Sequence, residues 1–178
     1  MPPPDTPSPP SEELVVLVDP LDRQVGVAGK QAAHRDGLLH RAFSIFVFNA
    51  RGETLLQRRA AGKYHSPGLW SNSCCSHPRP GETPLDAAHR RLGEELGFDC
   101  ALEPAFSFIY RASLDAGLTE HELDHVFTGE WSDDPVPNVA EVDAWRWVAL
   151  NELRHDVGAH PDRYTVWLRI ALDQLRRV

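Results

Sequence analysis

Residues 72–97 constrain the fold of this chain more than any other stretch, because they fix both ends of one helix and load its approach with reactive side chains. Thr83 supplies an N-cap hydroxyl. Pro84 suits the first helical position, where no backbone N–H is needed, and Asp86 stands three residues after the cap. Gly97 is the left-handed residue that ends such a helix. Leu85, Ala88, Leu92 and Leu96 recur at helical spacing and predict a core-facing stripe, while Arg91 and Glu95, four residues apart, share another face. Ahead of the helix, Cys75 and His77 lie two residues apart, so in extended chain both point to the same side. If that side holds a metal ion, its charge would lower the thiol's pKa. Cys74 and Cys100 read as small buried apolar residues.

Around this helix the chain alternates strand-like runs with turn chemistry. The apolar run 14–18, the turn Asp19-Pro20-Leu21-Asp22 and the alternating run 24–28 predict a hairpin at a sheet edge. Residues 30–43 place His34 and His40 on either side of a turn, the second leading into a strand over 43–48. Asn49-Ala50-Arg51-Gly52 predicts a hairpin turn that returns 54–58 as the partner strand, followed by a loop carrying Lys63 and Trp70. After the helix come a strand over 105–112 with Tyr110 and a strand over 119–129. Glu120 and Glu122 then share one strand face, where like charges cost stability unless a cation lies between them; a solvated face is the plainer alternative. Trp145 and Trp147 read as core on a strand over 142–148, Asn151 opens a short helix, and Tyr164, Trp167, Leu168, Ala171, Leu172 and Leu175 mark a final amphipathic helix. Strands around one central helix, with a second at the end, predict an α+β sandwich.

Glu82, Arg90, Glu94, Glu95 and Gly97 fall at the spacings of a Nudix box, with Ser76 where the box opens on Gly and Arg91 where it carries the Glu after Arg. These departures, together with Asn-Ser-Cys-Cys-Ser-His-Pro over 72–78, resemble the type I isopentenyl-diphosphate isomerase family, whose members carry Asn-[Ser/Thr]-x-Cys-x-His-Pro before this helix. The resemblance runs over residues 30–167, with Cys75, His77, Glu82, Glu95, Tyr110, Glu120, Glu122 and Trp167 in register. It implies a Nudix-like α/β/α sandwich with a mixed sheet in one domain over 12–178, and the reversible conversion of isopentenyl diphosphate to dimethylallyl diphosphate in isoprenoid biosynthesis. It also implies that His34, His40, His77, Glu120 and Glu122 hold one metal ion. More than four nitrogen and oxygen ligands favour Mg²⁺ or Mn²⁺, although imidazole-rich sites also take Zn²⁺. Lys30, Arg59, Lys63 and Arg91 resemble the family's diphosphate-holding cations, with Glu95 reaching the same group through a second Mg²⁺. Cys75 and Glu122 are the implied proton-moving groups, with Tyr110 hydrogen-bonded near the carboxylate. Trp167 and Trp70 are the candidates for facing a carbocation.

Composition narrows the alternatives. A net charge of −8 argues against binding a phosphate backbone, and no apolar run approaches the roughly 18 residues of a membrane span. Three cysteines, two of them adjacent, make a poor disulfide framework, so a cytoplasmic protein is expected, with its cysteines as free thiols, metal ligands or catalytic groups. The stretch 1–11 is rich in Pro and Ser and reads as a disordered tail. Among nine histidines, His155 and His160 read as surface residues. The expected partner is a small diphosphate, bound by a monomer or weak dimer. Two other readings stand beside the isomerase: a Nudix hydrolase, which lacks its box Glu at position 91 and leaves Cys75 idle, and a non-catalytic metal- or diphosphate-binding module.

Overall fold

The computed structural model describes residues 12–175; the tail predicted over 1–11 lies outside them, as do the last three residues. Its organising element is β3 (His40–Phe48), which is buried throughout 42–47. A near-continuous apolar strand is what a sheet covered on both faces demands. β3 pairs in parallel with β8 (Thr119–Glu130), from His40↔Glu122 to Phe48↔Glu130. β8 in turn pairs antiparallel with β7 (Leu102–Ser113). β1 (Leu14–Val18) and β2 (Gln24–Gly29) form the predicted hairpin, with β2 at the sheet edge. β6 (Cys74–Ser76) pairs with the middle of β3, so the thiol-bearing segment is fixed to the central strand.

The side chains of β3 alternate between two cores. Phe43, Ile45 and Val47 pack with Leu55 and Phe127 beneath α2 (Pro84–Leu96), which contributes Ala88, Leu92 and Leu96; Leu85 lies against the same cluster half-buried. Phe46 faces the other way and packs with Leu56, Val126, Leu153, Leu168 and Leu172, the last three from α3 (Leu150–Ala159) and α4 (Val166–Gln174). The result is an α/β/α sandwich around a mixed sheet. Trp145 and Trp147 pack against the core beneath α2, as expected, and Cys74 is fully buried. Cys100 is only half-buried, because it lies beyond the end of α2 at the margin of that core. No helix among the described residues is long and apolar enough to cross a membrane.

Two local features depart from what the sequence announces. Residues 30–36, for which the sequence predicts no element, form a short helix, α1 (Lys30–Asp36), ended by Gly37 at φ 63°. The turn between His34 and His40 is the exit from that helix. The turn after β3 forms, but β4 (Glu53–Arg59) shares only the Phe48↔Thr54 pair with β3 and then runs antiparallel to β9 (Val142–Ala149) along its whole length. β3 has no room for it, being paired with β8 and β6, and that long-range competition has no local sequence signal.

The signals bounding α2 act as read. Thr83 Oγ1 accepts from Asp86 N at 3.1 Å, and Gly97 sits at φ 74°. A Cβ on Gly97 would stand 2.5 Å from the Val136 carbonyl oxygen. Left-handed backbone alone costs a non-glycine residue about 1–2 kcal/mol. Gly97→Ala is therefore expected to lose about 2 kcal/mol or more in chemical denaturation. An unchanged midpoint would contradict this account of the helix end.

Candidate active site

Strand register assembles the polar centre. His40 is paired with Glu122 across β3 and β8, and Tyr110 with Glu122 across β7 and β8. Glu120 follows from the two-residue period of β8. His34 comes from the last turn of α1, and His77 stands just past β6. All five predicted metal ligands are buried, with one ligand atom from each lying within 4.8 Å of the others. His77 Nε2 lies 2.9 Å from Glu122 Oε1, His40 Nε2 3.5 Å from the same oxygen, and His34 Nε2 3.2 Å from Glu120 Oε2.

These residues fit a metal ion on their own chemistry. His34 Nε2, His40 Nε2 and Glu120 Oε2 are buried without a hydrogen-bond partner among the described residues, a state that costs free energy unless something else meets them. The far ring nitrogens of two of the three imidazoles are engaged, His40 Nδ1 with the Leu38 carbonyl at 2.8 Å and His34 Nδ1 with the Tyr64 hydroxyl, as a metal-facing imidazole requires, while His77 Nδ1 has no partner among the described residues. Burial lowers His34 to about 3 and His77 to about 4, so both are neutral ligands at neutral pH. Of the two carboxyls, burial acts to raise both; the close imidazoles of His40 and His77, the latter hydrogen-bonded at 2.9 Å, overcome it at Glu122, which is held well below its usual range. Glu120 is pushed well above its usual range by burial and by the like charge of Glu122. A cation between them would remove that conflict.

Beside this centre opens a cavity of about 210 Å³ lined by Cys75, His77, Glu120, Glu122 and Trp167, and by the four predicted anion-binding cations Lys30, Arg59, Lys63 and Arg91. The Cys75 Sγ lies 3.8 Å from Ser71 Oγ, which also accepts from Trp167 Nε1 at 3.0 Å. Burial pushes the thiol up to about 11, opposed by Arg59. Among the protein groups, desolvation outweighs the neighbouring guanidinium. Tyr110 donates to Glu122 Oε2 at 2.8 Å. Glu95 is buried and accepts from Gln57 Nε2 at 2.7 Å and from Arg91.

The cations are not free charges. Lys30 pairs with Glu13 at 3.0 Å, Lys63 with Glu141, and Arg91 with Glu94, Glu95 and Glu141; Arg59 donates to the His65 carbonyl at 3.1 Å and lies 5.3 Å from the Trp167 ring centroid. Trp70 does not join them. It packs against the core beneath α4, with Arg58 and Arg146 over its ring, and its role facing a carbocation is withdrawn. His155 and His160 are exposed, as expected. Sequence reasoning missed Glu13, His65, Asp124 and Glu141. Asp124 was legible, since it continues the two-residue period of Glu120 and Glu122; buried beside Glu122, it is pushed up to about 8 and accepts from Ser44 at 2.8 Å. Glu13 and Glu141 come from distant segments and carry no local signal.

A NUDIX domain model matches residues 38–168. Isopentenyl-diphosphate Delta-isomerase 2 of Aromatoleum aromaticum is 58% identical over 164 residues, covering 92% of this chain and 87% of that protein. The protein of the same name from Photorhabdus laumondii is 54% identical and covers 92% and 93% of the two chains. A solved Deinococcus radiodurans structure superposes with a TM-score of 0.77 over 91% of this chain and 98% of the other; at 21% identity it shows the fold alone. A MutT protein from Methanosarcina mazei gives 0.63 at 20% identity, covering 78% and 94%. The chain is thus an enzyme of the isopentenyl-diphosphate Delta-isomerase family, built on a NUDIX domain.

Proposed function

We propose that this chain interconverts isopentenyl and dimethylallyl diphosphate by moving a proton onto one end of the allylic unit and another off its far end. The observation that carries the reading is that Cys75 and Glu122 line the same cavity as Lys30, Arg59, Lys63 and Arg91, so groups that move protons adjoin groups that hold a diphosphate. An unactivated alkene is a weak base, so its protonation needs a positioned acid, and the tertiary carbocation that results must be shielded from water. Cys75 and Glu122 act from opposite faces of the five-carbon unit. In the reverse direction the donor becomes the acceptor. Their surroundings favour complementary states, a thiol that keeps its proton and a carboxylate that has lost one.

Tyr110 fixes the Glu122 carboxylate by its 2.8 Å hydrogen bond. Trp167 offers its ring to the cation, an interaction worth about 2 kcal/mol when desolvated. His34, His40, His77, Glu120 and Glu122 would hold Mn²⁺ or Mg²⁺, with Zn²⁺ compatible with the imidazoles. The bound ion supplies positive charge that orients Glu122 and sets its protonation. Glu95 would hold a second Mg²⁺ that supplies charge to the diphosphate, and Lys30, Lys63 and Arg91 would exchange their Glu13 and Glu141 partners for that group. Three free cysteines suit a reducing cytoplasm. Arg91, standing in place of the box Glu, disfavours a hydrolase. The test is incubation with isopentenyl diphosphate and product analysis by NMR. The allylic isomer with an intact diphosphate is expected; released phosphate would overturn the assignment.

A further inference from the structure

The loop between β4 and β5 (Trp70–Ser71) spans residues 60–69 and is closed at its base by Gly68 N to Arg59 O and Arg59 N to Leu69 O, each 2.9 Å. Residues 64–66 form a bend, from which Tyr64 and His65 both reach the metal-binding centre. The Tyr64 hydroxyl meets His34 Nδ1, and His65 Nε2 lies 3.4 Å from Glu120 Oε1. Immediately after them Ser66 takes φ 50°, left-handed backbone that a residue with a Cβ adopts at a cost and keeps only when its surroundings hold it. His65 is further held by Arg59 on its carbonyl and by the edge of its ring on Trp167, with centroids 5.7 Å apart.

We propose that Tyr64 and His65 are positioning residues that orient His34 and Glu120 for the ion, and that they thereby fasten the loop carrying Lys63 to the metal centre. The proposal rests on the reading of the His/Glu cluster as a metal site. A ligating imidazole is held in one tautomer and one orientation by the partner of its far nitrogen, and a ligating carboxylate by donors to its free oxygen; loss of such a partner weakens metal binding by about 10- to 100-fold. Glu120 has particular need of one. Its Oε2 faces His34 without a hydrogen bond, leaving Oε1 for His65. The same dipeptide directly follows Lys63, whose ammonium pairs with Glu141 at the cavity. A loop kept in place by the metal ligands thus holds a diphosphate cation ready before substrate arrives.

The test uses the full chain and Mn²⁺ alone, with free ion measured by its electron paramagnetic resonance signal. Tyr64→Phe removes one hydroxyl from a half-exposed ring, and His65→Gln keeps an amide donor toward Glu120 where His65→Ala keeps none. Tyr64→Phe and His65→Ala are each expected to raise the Mn²⁺ dissociation constant about 10- to 100-fold, and His65→Gln to stay within about threefold of wild type. Thermal midpoints without metal should barely differ between His65→Ala and His65→Gln, which separates orientation of ligands from general destabilisation. Wild-type affinity in both Tyr64→Phe and His65→Ala would overturn the proposal while leaving the metal site standing. Equal weakening by His65→Ala and His65→Gln would remove the contact with Glu120 from it. A wild-type chain that takes up no ion would contradict the metal site and the positioning role together.

Discussion

Cys75→Ala is expected to lower turnover by about 10²- to 10⁴-fold, the range that a single positioned proton-transfer group contributes, while leaving fold and metal content unchanged. The thiol is half-buried, it lines the cavity beside His77 and Glu122, and its one hydrogen-bonding contact among the described residues is Ser71 Oγ at 3.8 Å. It is tied into no hydrogen-bond network whose loss would unfold the protein. Cys75→Ser should lose almost as much, because an aliphatic hydroxyl is a far weaker acid than a thiol. Cys74→Ala is the control. That side chain points into the core beneath α2, so the substitution should cost about 1 kcal/mol of stability and little activity. Turnover near wild type in Cys75→Ala, measured with the fold verified, would remove the thiol from the reaction.

Glu122→Gln is expected to abolish turnover by a separate route, through the ion. Glu122 meets His77 and His40 with one oxygen and Tyr110 with the other, so it joins the imidazoles to the phenol and is the one residue placed in both the metal set and the proton path. The amide retains its shape but loses the charge and one acceptor. Bound metal by elemental analysis should fall from about one ion per chain toward none, a loss of affinity of about 100-fold or more. Glu95→Gln should keep that ion, because Glu95 lies beside Gln57 and Arg91 rather than among the histidines. It should instead weaken diphosphate binding in a Mg²⁺-dependent way. Full metal stoichiometry in Glu122→Gln would sink the site as drawn.

What the sequence disclosed and what it hid divide along physical lines. The ends of α2 were legible because capping is local chemistry, written in Thr83, Pro84 and Gly97 themselves. Glu120 and Glu122 were legible as a pair because the strand period is two, and the same rule reaches Asp124. The His34 contribution came only through resemblance, since nothing in Lys30-Gln31-Ala32-Ala33-His34 announces that a seven-residue helix will turn that imidazole toward β8. The pairing of β4 with β9 and the carboxylates of Glu13 and Glu141 depend on contacts between segments far apart in the chain, where one sequence carries no period to follow. Trp70 was misplaced for the opposite reason. An aromatic in a loop beside cations looks like a ligand face, but Arg58 and Arg146 cover it in the structure.

The most direct test of the central claim is solvent hydrogen exchange into the carbon skeleton. With isopentenyl diphosphate in deuterated water, protonation at one end of the allylic unit and deprotonation at the other must place deuterium in the recovered five-carbon diphosphates, detected by mass spectrometry with the diphosphate unbroken. Glu122→Gln should show neither label nor isomer, and Cys75→Ala should lose both in proportion to its turnover. Release of inorganic phosphate with an unlabelled carbon skeleton would contradict the account and assign the cavity to hydrolysis.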